Sequence, residues 1–197
     1  MGEIWAVILA AGESKRMGYP KMLLPFNGTT MLECVIANIS QSQIDKIIIV
    51  LGAEKESLIQ LAKKIKIEYC YNENFKEGML SSVQCGFRNL PEDCSACIVF
   101  QGDQPLITHD VIDAIIKAYR ASHKGIVIPV YKKKRGHPVL IDMKYRKNID
   151  KLNPAIGLRA LPSLFSDDVL EVETQGPGIL RDFDTYQQYL KGINQIY

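Results

Sequence analysis

The 197-residue sequence is short of several things, and each shortage removes a class of function. It has no long apolar run near its start: the stretch at residues 4–11 stops at Gly12, against the roughly 20 residues that a bilayer demands. No basic region leads into that stretch. Neither a signal peptide nor a transmembrane segment is therefore expected, and the expected compartment is the cytoplasm. There is no excess of either charge. Lys and Arg total 24, Asp and Glu total 22, and the net charge is +2. That balance gives no general affinity for nucleic acid or an anionic membrane, so any anion binding must come from local clusters. Cysteines are few and odd in number: Cys34, Cys70, Cys85, Cys94 and Cys97. They form no disulfide framework. Cys94 and Cys97 make a lone CxxC with no second pair and no nearby His, which reads as reduced structural thiols sooner than as zinc or redox chemistry. Repeats, linkers and low-complexity segments are absent too, and the length suits one α/β domain over 1–197.

Two familiar nucleotide signatures are also missing. There is no GxGxxG. There is no GxxxxGK[ST] either, since Gly12 and Gly18 are one residue too far apart and no Lys follows directly.

What the chain does have is alternation. Residues 4–9, 46–51, 96–101 and 125–130 read as buried strands, and 67–71 as a weaker one. Runs apolar on both faces suit parallel strands covered by helices on each side. Between them lie helical stripes: Leu32, Val35, Ile36, Ile39; then Leu58, Leu61, Ala62, Ile65; then Ile112, Ile115, Ile116, Tyr119. Thr30 followed by Glu33 is a capping-box start for the first, and Thr108 or Asp110 opens the third. This βαβ order predicts a mostly parallel, doubly wound sheet whose ligands bind beyond the carboxyl ends of the strands. After residue 130 the pattern changes. A basic turn, Lys132 to Arg135, precedes Gly136-His137-Pro138 and an apolar run at 139–141, which predicts a small inserted ribbon or hairpin. The tail from Lys191 is short and polar.

The unusual residues follow strand ends. The first strand runs into Leu9-Ala10-Ala11-Gly12-Glu13-Ser14-Lys15-Arg16-Met17-Gly18-Tyr19-Pro20-Lys21. Small residues let the backbone approach a ligand, exposed N–H groups suit phosphate oxygens, and Arg16 and Lys21 add charge. The alternative is a solvated βα loop. Gln101-Gly102-Asp103-Gln104-Pro105 puts a carboxylate at a strand's carboxyl end, where magnesium would want one, unless Asp103 serves only the turn before Pro105. Arg181-Asp182-Phe183-Asp184-Thr185 offers a second carboxylate. Asp182 and Asp184 share a face if extended, or Asp184 caps a helix over 185–190. In Asn72-Glu73-Asn74-Phe75-Lys76-Glu77-Gly78-Met79-Leu80-Ser81-Ser82-Val83, Gly78 permits a tight entry and Ser81 or Ser82 opens a helix, as an N-cap or as a polar ligand edge.

The stretch 9–21 resembles the LAAGxSxRMGxxK signature of nucleotidyltransferases with a GT-A-like fold. With the segments 72–86, 101–105, 136–140 and 182–185 in the same order, nearly the whole chain resembles the molybdenum cofactor cytidylyltransferase family. The resemblance implies a single domain that transfers a nucleotidyl group from CTP to a molybdopterin-type cofactor and releases pyrophosphate. It implies Mg2+ held by Asp103 with Asp182, preferred, or Asp184. It implies a nucleotide site of Leu9, Ala10, Ala11, Gly12, Arg16, Lys21, Asn72, Gly78, Ser82 and Asp103, with Arg16, Lys21 and Asp103 carrying catalysis. His137 and Arg159 fall to the acceptor, and transient contact with a molybdenum hydroxylase or its chaperone follows. Ala10-Ala11-Gly12 resembles cytidylyltransferases; guanylyltransferases typically show Ala-Gly-Gly. Two departures stand out. Tyr186 replaces the usual Pro, and Pro154-Ala155 replaces a Gly-Asp ahead of Gly157 and Arg159. The rival readings are another NTP or a sugar-phosphate acceptor, a nucleotide-sugar glycosyltransferase, and a non-catalytic cofactor-binding chaperone.

Overall fold

The computed structural model describes residues 2–193. In chain order its elements begin with β1 (Ile4–Ala10), β2 (Pro25–Phe26), β3 (Thr29–Thr30) and α1 (Met31–Ser40). There follow β4 (Lys46–Leu51), α2 (Lys55–Lys64), β5 (Glu68–Tyr71), α3 (Met79–Arg88), β6 (Ala96–Gln101) and α4 (His109–Ser122). The last third holds β7 (Ile126–Tyr131), β8 (Lys134–Arg135), β9 (Val139–Asp142), α5 (Arg146–Ile149), α6 (Ala160–Leu164), β10 (Val169–Glu173) and α7 (Tyr186–Ile193).

The main sheet runs β10-β7-β9-β6-β1-β4-β5, with β8 on β7. β1 lies parallel to β4 on one side and to β6 on the other, and β5 continues the parallel half. Alternation along β1 explains the two layers. Ile4, Ala6, Ile8 and Ala10 pack with the stripes of α1, α2 and α4. Trp5, Val7 and Leu9 pack under α3 and the segment of α5 and α6. Side chains two apart share a face, so one apolar strand feeds both cores. The predicted stripes are buried, except that Ile65 and Tyr119 are only half-buried. Burying each such aliphatic side chain is worth about 1.5–3 kcal/mol.

The mostly parallel α/β sheet of the sequence reading is present, and the predicted ribbon is where the parallel order breaks. β7 and β8 form a hairpin through Lys132 and Lys133, both in left-handed conformation. β9 then inserts antiparallel between β6 and β7. Three features go beyond the sequence reading. β10, parallel to β7, was not read from the sequence, because its apolar residues are only half-buried at the sheet edge. The β2–β3 hairpin was also missed, being two residues a side. The short polar tail read from Lys191 overlaps α7, which continues to Ile193 and buries Tyr189 and Gly192. Residues 194–197 lie outside the described residues. The capping box on α1 is formed, with Glu33 N–H on Thr30 Oγ1 and Thr30 N–H on the Glu33 carboxylate. Among the described residues no helix is long and apolar enough to cross a membrane.

Candidate active site

The carboxyl ends of β1 and β6 are neighbours, so the loops that follow them meet above the sheet. The first of these loops is fixed by Ser14. Its carbonyl accepts the N–H groups of Met17 and Gly18, and its Oγ accepts that of Lys21. The turn swings Lys21 back over the sheet, toward the residue two places beyond β6. Lys21 Nζ lies 2.5 Å from Asp103 Oδ2 and 3.2 Å from Asp184 Oδ1. Arg16 reaches the other Asp184 oxygen at 2.7 Å.

Asp184 is free to do this because another residue caps α7. Thr185 Oγ1 accepts the Gln188 N–H, and Gln188 Oε1 accepts from the N–H groups of Thr185 and Asp184. The helix-capping alternative for the Asp184 side chain is thereby corrected: the cap is a Thr185–Gln188 box. Asp182 lines the same cavity. Burial, then the charges of Asp184 and Asp103, push the Asp182 carboxyl above its usual range, and Lys21 offsets part of this. Burial alone would lower the Lys21 pKa, but Asp103 and then Asp184 outweigh it and hold the ammonium above its usual value. The Lys21–Asp103 pair is nearly buried, so removing one partner should cost about 3–5 kcal/mol locally. The Arg16 contact is exposed and contributes little to stability.

Residues Leu9, Ala11, Gly12, Arg16, Lys21, Gly78, Ser82, Asp103, Asp182 and Asp184 all border one cavity of about 370 Å³. Sequence reasoning missed four of its other walls: Met22, Phe75, Met79 and Gln101. Three of these sat inside motifs already singled out, and their apolar or neutral side chains gave no separate signal. Glu54 stands near the loop without lining the cavity. Burial raises its carboxyl pKa, against a hydrogen bond from Ser14 and the charge of Lys21.

Two residues expected at the nucleotide stand behind the wall. Ala10 is buried in the core. Asn72 is buried too, and its amide is fully engaged: Nδ2 donates to Ser81 Oγ and Ser82 Oγ at 2.9 and 3.0 Å, and Oδ1 accepts the Asn74 N–H. Asn72 holds the turn in place. The residue before α3 is Gly78, at φ 103°, a conformation that side chains resist. Neither Ser81 nor Ser82 is the N-cap, which corrects that alternative. Ala11 is pinned from behind by Gly52, where a Cβ would come within 2.3 Å of the Ala11 carbonyl oxygen.

His137 and Arg159 do not join the carboxylates. They line a second cavity of about 350 Å³, otherwise walled largely by Ile126, Ile128, Val139, Ile141, Leu158 and Leu161. Met79 borders both cavities, so the two adjoin. His137 is anchored by its N–H on the Ile179 carbonyl, while its buried Nδ1 has no hydrogen-bond partner among the described residues. Burial holds the imidazole below its usual pKa, against the pull of Asp103. Arg159 is exposed, and Arg135 stands at the same rim.

Among the described residues no three His, Cys, Asp or Glu side chains stand ready as a metal cage. Magnesium seldom needs one, since it usually takes one or two carboxylates plus phosphate oxygens and waters. Asp103 and Asp184 already converge on one cation, the Lys21 ammonium, with Asp182 beside them lacking full compensation. Asp103, Asp184 and Asp182 are thus the residues here that could hold a hard divalent ion.

The molybdenum cofactor cytidylyltransferase of Escherichia coli is 28% identical over 197 aligned residues, covering 96% of this chain and 95% of that one. A probable molybdenum cofactor guanylyltransferase of Natranaerobius thermophilus is 32% identical over 143 residues, covering 73% of this chain and 66% of the other. Among solved structures, Rv0371c of Mycobacterium tuberculosis superposes with a TM-score of 0.85 at 25% identity, covering 98% of each chain. The sequence pattern of the MobA-like NTP transferase domain matches residues 6–169, and the chain belongs to that family of nucleotidyltransferases.

Proposed function

We propose that this nucleotidyltransferase moves a cytidylyl group from CTP to the phosphate of a molybdopterin-type cofactor, with Mg2+ as its metal. The observation that carries the reading is the pair of adjoining cavities. One is rich in carboxylates and cations; the other is apolar with a basic rim, and Met79 stands between them. A triphosphate suits the first. A flat heteroaromatic ring with a phosphate suits the second, its ring against the aliphatic wall and its charged end toward Arg159 and Arg135. His137, held below its usual pKa by burial and with a buried Nδ1 that has no partner among the described residues, offers the ring a polar contact.

The chain's own residues then do three things. Lys21 releases Asp103 and Asp184 and binds the polyphosphate, joined by Arg16. The first turn of α3 and Ala11 confine the base. Arg159 holds the acceptor phosphate in line with the α-phosphorus. The acceptor oxygen bonds to that phosphorus, the bond to the bridging β-oxygen breaks, and its electron pair leaves on pyrophosphate. The acceptor phosphate is already ionised near neutral pH, so no strong general base is required, and rate comes from positioning and charge stabilisation. Asp103, with Asp184 or Asp182, would hold magnesium, which when bound supplies further neutralisation of the triphosphate.

The Ala11 methyl, fixed against Gly52, narrows the cavity edge and supports a pyrimidine over a purine. The guanylyltransferase named among the relatives favours GTP as a second reading. A panel of four NTPs with magnesium and molybdopterin, scored by pyrophosphate release, separates the two. Release with CTP alone is expected; release with GTP alone would install the second reading, and tight NTP binding without release would leave a cofactor-binding chaperone. On this reading the product passes to a molybdenum hydroxylase or its chaperone.

A further inference from the structure

Behind the first turn of α3 the protein carries two thiols in contact. Cys70 lies in β5 and Cys85 in α3, and their sulfurs are 3.7 Å apart. The pair forms a second rung beside an existing one. Two residues beyond Cys70, Asn72 ties the end of β5 to Ser81 and Ser82 on the first turn of the helix. Cys85 follows Ser81 by one helical turn, so both rungs join the same strand to the same helix. The turn they hold includes Met79 and Ser82, two walls of the charged cavity.

The two sulfurs differ in kind. Cys70 is buried, whereas Cys85 is only half-buried. The hydrogen bond between them, and then the charge of Arg88 working against burial, lower the Cys85 thiol to about 7. That same bond, burial and the neighbouring charge push Cys70 upward. As a thiol, Cys85 also reaches the Tyr71 carbonyl at 3.5 Å; once ionised, it accepts from Cys70 instead. Cys94 and Cys97 are buried, and burial raises both. Cys34 is raised by burial as well. Thiolate character and access therefore coincide at Cys85.

We propose that Cys85 and Cys70 are a dithiol that hydrogen peroxide oxidises to a disulfide, locking β5 to α3 and altering the charged cavity. In the first step the Cys85 thiolate attacks one peroxide oxygen. An S–O bond forms, the O–O bond breaks, and hydroxide leaves and takes a proton to become water. In the second, the Cys70 sulfur attacks the Cys85 sulfenic sulfur, the S–O bond breaks, and a second water leaves. Two electrons pass from the thiols to the peroxide. The sulfurs must close from 3.7 Å to about 2.05 Å, which draws the helix toward the strand. The change in nucleotide affinity rests on the nucleotide reading; the disulfide does not.

The test treats the full chain with hydrogen peroxide, blocks remaining thiols, and maps the peptides by mass spectrometry. A cross-linked pair containing Cys70 and Cys85, lighter by two hydrogens, is expected, with Cys34, Cys94 and Cys97 still open to alkylation after unfolding. Cys70→Ser should leave a sulfenic acid on Cys85 that dimedone traps, and Cys85→Ser should abolish the response. Amide exchange in the first turn of α3 should slow, and CTP affinity in magnesium should shift by about tenfold, both reversing with dithiothreitol. No cross-link, a cross-link through another cysteine, or one that leaves α3 exchange unchanged overturns the proposal. So does one that leaves nucleotide affinity unchanged in a protein that binds CTP when reduced. A cross-link with slowed exchange, in a reduced protein that binds no NTP, sustains the dithiol and removes the nucleotide reading instead.

Discussion

The two adjoining cavities are built in opposite ways. The charged one sits over the parallel half of the sheet, where the loops after β1 and β6 bring Lys21 onto Asp103 and the segment before α7 adds Asp182 and Asp184. The apolar one sits over the antiparallel insertion, where β7 and β9 supply Ile126, Ile128, Val139 and Ile141. In the first, opposite charges face one another in nearly buried contacts. In the second, the wall is largely aliphatic with a few polar groups among it. On the proposed reading, chemistry and acceptor choice are carried by separate parts of the fold, so substitutions should separate them.

The largest separation is expected from Asp103→Ala. Turnover should fall by about a thousandfold, with the far-ultraviolet circular dichroism spectrum unchanged; full activity would remove the metal assignment. Lys21→Met comes next. It should cut kcat/KM for the NTP about a hundredfold. It should also lower the melting temperature in divalent-free buffer, because three carboxylates lose their buried counter-charge. Added magnesium should restore part of that loss, and a variant indifferent to magnesium would break the picture of an ammonium holding a cation site. Arg159→Ala should act only on the other cavity, raising the acceptor KM about tenfold, or about 1.4 kcal/mol, with the NTP KM unchanged. A rise in the NTP KM instead would merge the two sites.

The smallest effect concerns His137. Its imidazole titrates below the usual histidine range because it is buried. On acidification the unfolded chain takes up this proton before the folded one does. Folding stability should therefore fall as pH drops below about 6.5, the usual histidine value. His137→Gln should flatten that part of the stability profile while leaving the neutral-pH NTP KM alone. A profile identical to that of the parent protein would remove His137 from the buried edge of the cavity.

Most of the charged cavity was legible in the sequence, because it is made of residues that are unusual where they stand. A carboxylate at a strand end and two cations in a small-residue loop each had a structural alternative, and the family resemblance decided between them. Asp184 was harder, since an Asp before a helix is normally its cap; here the Thr185–Gln188 pair takes that role. Asn72 was assigned to the nucleotide by the resemblance alone, and its local bonding adds a second role. Its amide donates to Ser81 and Ser82. The apolar cavity could not be read in the same way. Ile128 or Leu161 looks the same in sequence whether it fills a core or faces a hollow. Only the antiparallel insertion of β9 decides that, and hydrophobic period does not encode strand order. The edge strand β10 escaped for a related reason, its half-exposed residues lacking a clean period.

A crystal structure with a non-hydrolysable CTP analogue and magnesium tests the central claim most directly. The account predicts polyphosphate oxygens on Lys21 and Arg16, the ion on Asp103 with Asp184 or Asp182, and the base against the first turn of α3. A triphosphate seated among Ile128, His137 and Arg159, or anywhere apart from Asp103, would contradict it.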